Sequence, residues 1–184
     1  MAKSLVLHIG DPKTGTSSIQ HALFHRRLDC ASVSVDYPPK LSAIHLANAI
    51  RRPARAGDRD ERFREAASWL SASTADVAVL SAEQFSTTDP AEVADVFAQY
   101  MSEQARTMRV VAYVRPHVSR FLSAYAQRVK VGSLHVGLQD FHDDQESKRF
   151  LSFFRRFRKW HDLYGDRFHL RPMIREELRD GDVV

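Results

Sequence analysis

Cysteine is almost absent from this 184-residue chain: Cys30 is the only one. A single thiol excludes an intrachain disulfide, in keeping with a reducing cytoplasm, and Cys30 reads as buried or incidental and not as a nucleophile. Glycine and proline number seven each, too few for a collagen-like or low-complexity chain. No apolar run comes near the roughly 20 residues that a membrane span needs. The stretch at 5–9, with only Lys3 before it, is too short for a signal peptide. A cytoplasmic protein without a membrane span is therefore expected. Nor is there a strong excess of charge, since 27 basic residues face 23 acidic ones for a net +4. That balance suits an anionic partner and does not indicate nucleic acid. With 43% hydrophobic residues, the chain is expected to form one domain over 1–184.

Hydrophobic periodicity alternates between strand and helix. "SLVLHI" (4–9) predicts a buried strand, and "TSSIQHALFHRRL" (16–28) a helix with Ile19, Leu23 and Leu28 inward. A weak strand at 32–35, a short helix at 41–50 and a helix at 60–73 capped by Asp60 follow, with 51–60 as the exposed linker. The β-branched runs at 76–83 and 108–114 read as strands covered on both faces. Between them, Asp89-Pro90 predicts a helix start, with the helix running to about Gln104. Another helix follows Pro116, and "RFHLRPMI" (167–174) is the last strand. The order implies a parallel sheet flanked by helices in three layers.

Basic residues cluster at Arg51, Arg52 and Arg55 and in "KRFLSFFRRFRKW" (148–160). At helical spacing Phe150, Phe153, Phe154, Phe157 and Trp160 share one face of the latter, with the cations largely on the others. Two readings stand: a core-packed helix with a solvated basic face, or a helix some of whose cations face an anionic ligand.

The loop "GDPKTGT" (10–16) joins the first predicted strand to the first helix. Gly10 and Gly15 have the spacing of a Walker A loop, but Thr16 follows Gly15 where that motif has lysine, and the lysine is Lys13, inside the loop. Backbone N–H groups of such a loop and the start of its helix favour an anion. Thr14, Thr16, Ser17 and Ser18 add hydroxyls, and Lys13 adds a mobile charge. An ATP or GTP enzyme would also need a carboxylate ending a neighbouring strand to hold Mg²⁺. Here one strand runs into Ser81-Ala82-Glu83 and the other into Arg115-Pro116. An arginine at that position suggests a second phosphate.

These residues resemble the sulfotransferases that use 3′-phosphoadenosine 5′-phosphosulfate (PAPS), particularly the bacterial ones. Their loop P-K-[TS]-G-T-[TS] is matched by Pro12-Lys13-Thr14-Gly15-Thr16-Ser17, with Ser18 next. Their strand-end Arg, followed eight positions later by a helical Ser, is matched by Arg115 and Ser123. "IREEL" (174–178) is a weaker match to a Y-E-D-L pattern after the last core strand. The resemblance implies a P-loop nucleoside-kinase-like fold and transfer of a sulfuryl group from PAPS to an acceptor hydroxyl or amine of unidentified nature. The product would be adenosine 3′,5′-bisphosphate, and no metal would be required. It further implies that Lys13, Thr14, Gly15, Thr16, Ser17 and Ser18 hold the 5′-phosphosulfate, that Lys13 acts on the bridging oxygen, and that Arg115 and Ser123 hold the 3′-phosphate. The family's general base is a His or a Glu, and Glu83 and His45 are the candidates; His8 reads as structural. Gln127 and Lys130 are candidates for the acceptor cleft, or equally a solvated helix face.

The chain departs from the family in reading Arg115-Pro116-His117 where Arg-Asp-Pro is common, so a different local turn is expected. Members usually continue with helices and a basic loop over the 3′-phosphate, whereas this sequence stops at "GDVV". A shortened chain or a compact member without that lid is expected, with weak cofactor affinity or an incomplete acceptor site. Two other readings are a nucleotide kinase or NTPase, marked by Mg²⁺-dependent ATP binding, and a non-catalytic nucleotide-binding domain.

Overall fold

Five parallel strands form one sheet in the order β2-β3-β1-β4-β5 in the computed structural model, which describes residues 4–28, 32–52, 57–147 and 152–183. They are β1 (Ser4–His8), β2 (Val35–Asp36), β3 (Val77–Ser81), β4 (Arg109–Val114) and β5 (Phe168–Pro172). Eight α-helices are found among the described residues: α1 (Thr16–Phe24), α2 (Ile44–Arg51), α3 (Gly57–Ala72), α4 (Pro90–Tyr100), α5 (Ser102–Thr107), α6 (His117–Lys130), α7 (Leu138–Ser147) and α8 (Phe154–Tyr164). The expected parallel α/β architecture is thus present. None of the described helices is long and apolar enough to cross a membrane.

Alternation in β1, β3 and β4 puts Leu5 and Leu7, Ala78 and Leu80, and Val110 and Ala112 into the main core. Phe63 of α3, Phe97 of α4 and Trp160 of α8 are fully buried there as well. Phe85 belongs to a short 3-10 helix, Glu83–Thr87, that leads away from the carboxyl end of β3. β1 lies between β3 and β4. The chain therefore leaves β1 toward one side and later returns to the other, and the carboxyl ends of these three strands border the crevice where ligands of open α/β sheets bind.

Several boundaries differ from the sequence expectation. α1 stops at Phe24, before the predicted end at 28, because Arg26 turns left-handed (φ 54°). The N–H groups of Arg26 and Arg27 then donate to the carbonyls of Leu23 and Ala22, a Schellman cap made without glycine. Its inner face holds Thr16, Gln20, Ala22 and Leu23, and not Ile19. Gln20 is drawn in because its amide donates to the Ser81 carbonyl at 3.1 Å. The weak strand falls at Val35–Asp36, slightly beyond the predicted 32–35. Asp60 is not a cap, since α3 begins at Gly57; its carboxylate pairs with Arg64 one turn on and accepts from the Tyr100 hydroxyl.

Asp89 does cap α4, accepting from the Ala91 N–H at 2.9 Å. The helix breaks at Met101 (φ −141°, ψ 51°), whose side chain is buried, and resumes as α5. In α8, Phe157, Trp160 and Tyr164 are buried and Phe153 half-buried, so the inner stripe runs 153, 157, 160 and 164. Phe154, about 100° round the helix from Phe153, is 66% exposed, which corrects the predicted aromatic face. Cys30, Arg55, Phe150 and the part of the linker at 53–56 lie outside the described residues.

Candidate functional site

The loop after β1 continues the sheet before it turns. Ile9 N–H donates to the Val111 carbonyl, and Asp11 N–H to that of Tyr113 at 3.3 Å. Thr14 then closes the turn by donating its hydroxyl to the Asp11 carbonyl. Lys13 and Gly15 both take left-handed backbone conformations, φ 70° and φ 72°. The conformation at Gly15 lets α1 begin directly at Thr16, and no side chain caps that helix end. The first N–H groups of a helix have no intrahelical acceptor, so this end of α1 is positively polarised.

Gly10 answers a different constraint. A Cβ there would overlap the Thr16 hydroxyl and come within 3.2 Å of His8 Nε2. Gly10→Ala is expected to push α1 off the end of β1 and lower the thermal unfolding midpoint. An unchanged melting curve would contradict this packing argument.

A cleft of about 480 Å³ opens above the loop. Lys13, Gly15, Thr16 and Ser17 line it from the loop, and Glu83 lines it from just beyond β3. Arg115 just past β4, Ser123 and Gln127 of α6, and Met173 just past β5 complete it. Seven of the residues singled out for the phosphosulfate, the 3′-phosphate and the proton are thus brought together: Lys13, Gly15, Thr16, Ser17, Glu83, Arg115 and Ser123. The Thr16 hydroxyl is buried and has no hydrogen-bond partner among the described residues.

Others stand apart. Thr14 is buried with its hydroxyl committed to the turn, so it shapes the loop and offers no free donor. Ser18, which is exposed, and Lys130 do not line the cleft. His45 sits half-buried on α2, also outside the lining. Burial and the Lys40 charge lower its pKa, while Glu65 works the other way. His8 is buried with Nδ1 2.8 Å from the Ser81 hydroxyl, and burial pulls its pKa down to about 4, so it is neutral and joins β1 to β3.

Burial pushes the Glu83 carboxyl above its ordinary value; Lys13 pulls it down and Asp11 pushes it up. A carboxylate with a raised pKa beside a lysine, facing a cleft, has the electrostatics of a proton acceptor next to an anion site.

The cations of α8 divide. Arg156 reaches the carboxylate of Asp11. With Arg155 and Lys159 it also lines a second cleft of about 510 Å³, beside Ser86, Thr87 and Thr88. Sequence reasoning missed Asp11 and Arg120, both fully buried and paired with each other. The one available signal was an acidic residue inside an otherwise anion-binding loop.

No protein-family model matches the chain, and no curated protein matches it. Among solved structures, a sulfotransferase from Alicyclobacillus acidocaldarius superposes with a TM-score of 0.59 at 16% identity, over 94% of this chain and 74% of that one. A gluconokinase from Sinorhizobium meliloti 1021 is a looser likeness, with a TM-score of 0.39 at 11% identity over 92% and 82% of the two chains. The first likeness establishes a shared fold.

Proposed function

We propose that this protein transfers a sulfuryl group from PAPS to an acceptor hydroxyl or amine. The observation that carries the reading is the convergence of Lys13, Thr16, Ser17, Glu83, Arg115 and Ser123 on one cleft at the uncapped start of α1. The loop N–H groups and the Thr16 and Ser17 hydroxyls bind the 5′-phosphosulfate, while Arg115 and Ser123 bind the 3′-phosphate. Lys13 donates to the oxygen bridging phosphorus and sulfur. As the acceptor oxygen or nitrogen bonds to sulfur, the bond from sulfur to that bridging oxygen breaks and its electron pair stays on the leaving phosphate. Glu83 takes the acceptor's proton. Catalysis by these groups is positioning plus stabilisation of charge on the leaving oxygen.

The test is titration calorimetry with adenosine 3′,5′-bisphosphate against ATP plus Mg²⁺. Binding of the bisphosphate that survives EDTA is expected. Mg²⁺-dependent ATP binding without bisphosphate binding would point instead to a kinase or NTPase. Bisphosphate binding with no transfer to any acceptor would mark a non-catalytic nucleotide-binding domain.

A further inference from the structure

Asp11 is an acidic residue two positions before Lys13 in a loop built for an anion, and none of its side chain reaches solvent. Arg120, equally buried, places Nε 2.7 Å from Oδ2 and one terminal nitrogen 3.5 Å from Oδ1. Arg156 of α8 pairs with Oδ1 from the other side. Burial pushes the Asp11 carboxyl up, and Arg156, Arg120 and His117 oppose that shift. Two guanidinium groups in contact favour its charged form, while burial, the larger influence, leaves the net shift upward.

Asp11 and Arg120 join two elements that line the cleft, the loop and α6, and Arg156 ties that pair to α8, outside the lining. Asp11 belongs to the loop that carries Lys13, Thr16 and Ser17. Arg120 belongs to α6, five residues after Arg115 and three before Ser123. Arg156 anchors the same carboxylate to α8. A buried ion group of this kind contributes little net stability compared with apolar residues of the same volume, but the contacts of one carboxylate with two guanidinium groups tie the loop, α6 and α8 to a single point.

From this we infer that Asp11, held by Arg120 and Arg156, is a positioning residue that sets the spacing between the loop and the α6 end of the cleft. Lys13 is thereby held in register with Arg115 and Ser123. The inference rests on reading the cleft as a bisphosphate site. Two phosphates on one nucleotide gain affinity over either alone only if both half-sites are held at the span of the ligand.

The experiment compares the wild type with the double variant Asp11→Asn/Arg120→Met, which removes the buried pair together. Arg156 is left with a side chain that is 20% exposed and can reach water. Adenosine 3′,5′-bisphosphate, adenosine 5′-monophosphate and adenosine 3′-monophosphate are titrated into both at constant salt. Affinity for each monophosphate is expected to stay within about threefold, while that for the bisphosphate falls by about tenfold or more. A purely structural role would weaken all three in parallel, and that result, or an unchanged bisphosphate affinity, overturns the inference. Should the double variant not refold, Arg120→Lys, which keeps a positive charge opposite Asp11 and loses the planar fork, carries the same comparison. A wild type that binds no bisphosphate rejects the functional reading together with this one. A wild type that binds it, with the variant equal to it, rejects only the positioning role.

Discussion

Lys13→Ala is expected to slow sulfuryl transfer by about 10²–10³-fold, the usual cost of one preorganised donor aimed at developing charge, while bisphosphate affinity changes little. Arg115→Ala is expected to do the opposite, weakening bisphosphate binding by roughly 10- to 100-fold, the range for losing a hydrogen bond to a charged group, with turnover at saturation largely kept. The reason for the split is where charge changes. The bridging oxygen gains negative charge as its bond to sulfur breaks, so a cation there helps the transition state more than the ground state. The 3′-phosphate carries the same charge throughout, so Arg115 binds both states alike. Lys13 lies in a left-handed turn inside the loop, within the cleft that Arg115 closes from β4. Single-turnover rates and calorimetric affinities measured on the same two variants decide the matter. Equal losses of affinity with intact rates in both would reject this division of roles.

Glu83→Gln is expected to abolish most transfer while keeping the fold and the bisphosphate affinity, because the amide preserves shape and does not accept a proton. Its pH behaviour is more diagnostic. A base works only when ionised, so the wild-type rate should climb with pH through the Glu83 pKa. Burial and Asp11 raise that pKa against the pull of Lys13, so the rising limb should lie above the ordinary carboxylate value of about 4.3. Removing Lys13 takes away the lowering influence, and the residual activity of Lys13→Ala should show the limb moved to still higher pH. The sign for stability is the reverse. A carboxyl whose folded pKa is raised binds more protons folded than unfolded, so its ionisation costs stability as pH rises through that interval. Glu83→Gln should escape this loss and unfold at an equal or higher temperature than the wild type near neutral pH. His45→Ala should affect transfer less, since His45 lies outside the cleft lining. Larger damage from His45→Ala than from Glu83→Gln in a sulfate-transfer assay would transfer the role of base to His45.

The order of elements and the location of the anion loop were legible in the linear sequence, because both rest on local rules. Alternating and β-branched runs mark β1, β3 and β4, and two glycines around a lysine before a hydroxyl-rich helix start mark the loop. The grouping of Arg115 with Ser123 came from the resemblance to the sulfotransferases and not from a local rule; both line the cleft. What the sequence did not determine was which of these local pieces meet. Thr14 looks like Thr16 in the motif, yet the turn consumes its hydroxyl, while that of Thr16 has no partner among the described residues. Glu83 was the first candidate for the base from its place after β3, with His45 second; the tertiary structure adds that Glu83 lines the same cleft as Lys13 and that His45 does not. Phe154 looked as inward as Phe157 until α8 packed with the 157, 160 and 164 stripe toward the core. The ion group of Asp11, Arg120 and Arg156 was the least legible, because its members are 109 and 145 residues from Asp11 in the chain. No local propensity couples such distant positions; only the closing of the sheet, which takes Asp11 and Arg120 out of water and brings Arg156 against the same carboxylate, joins the three.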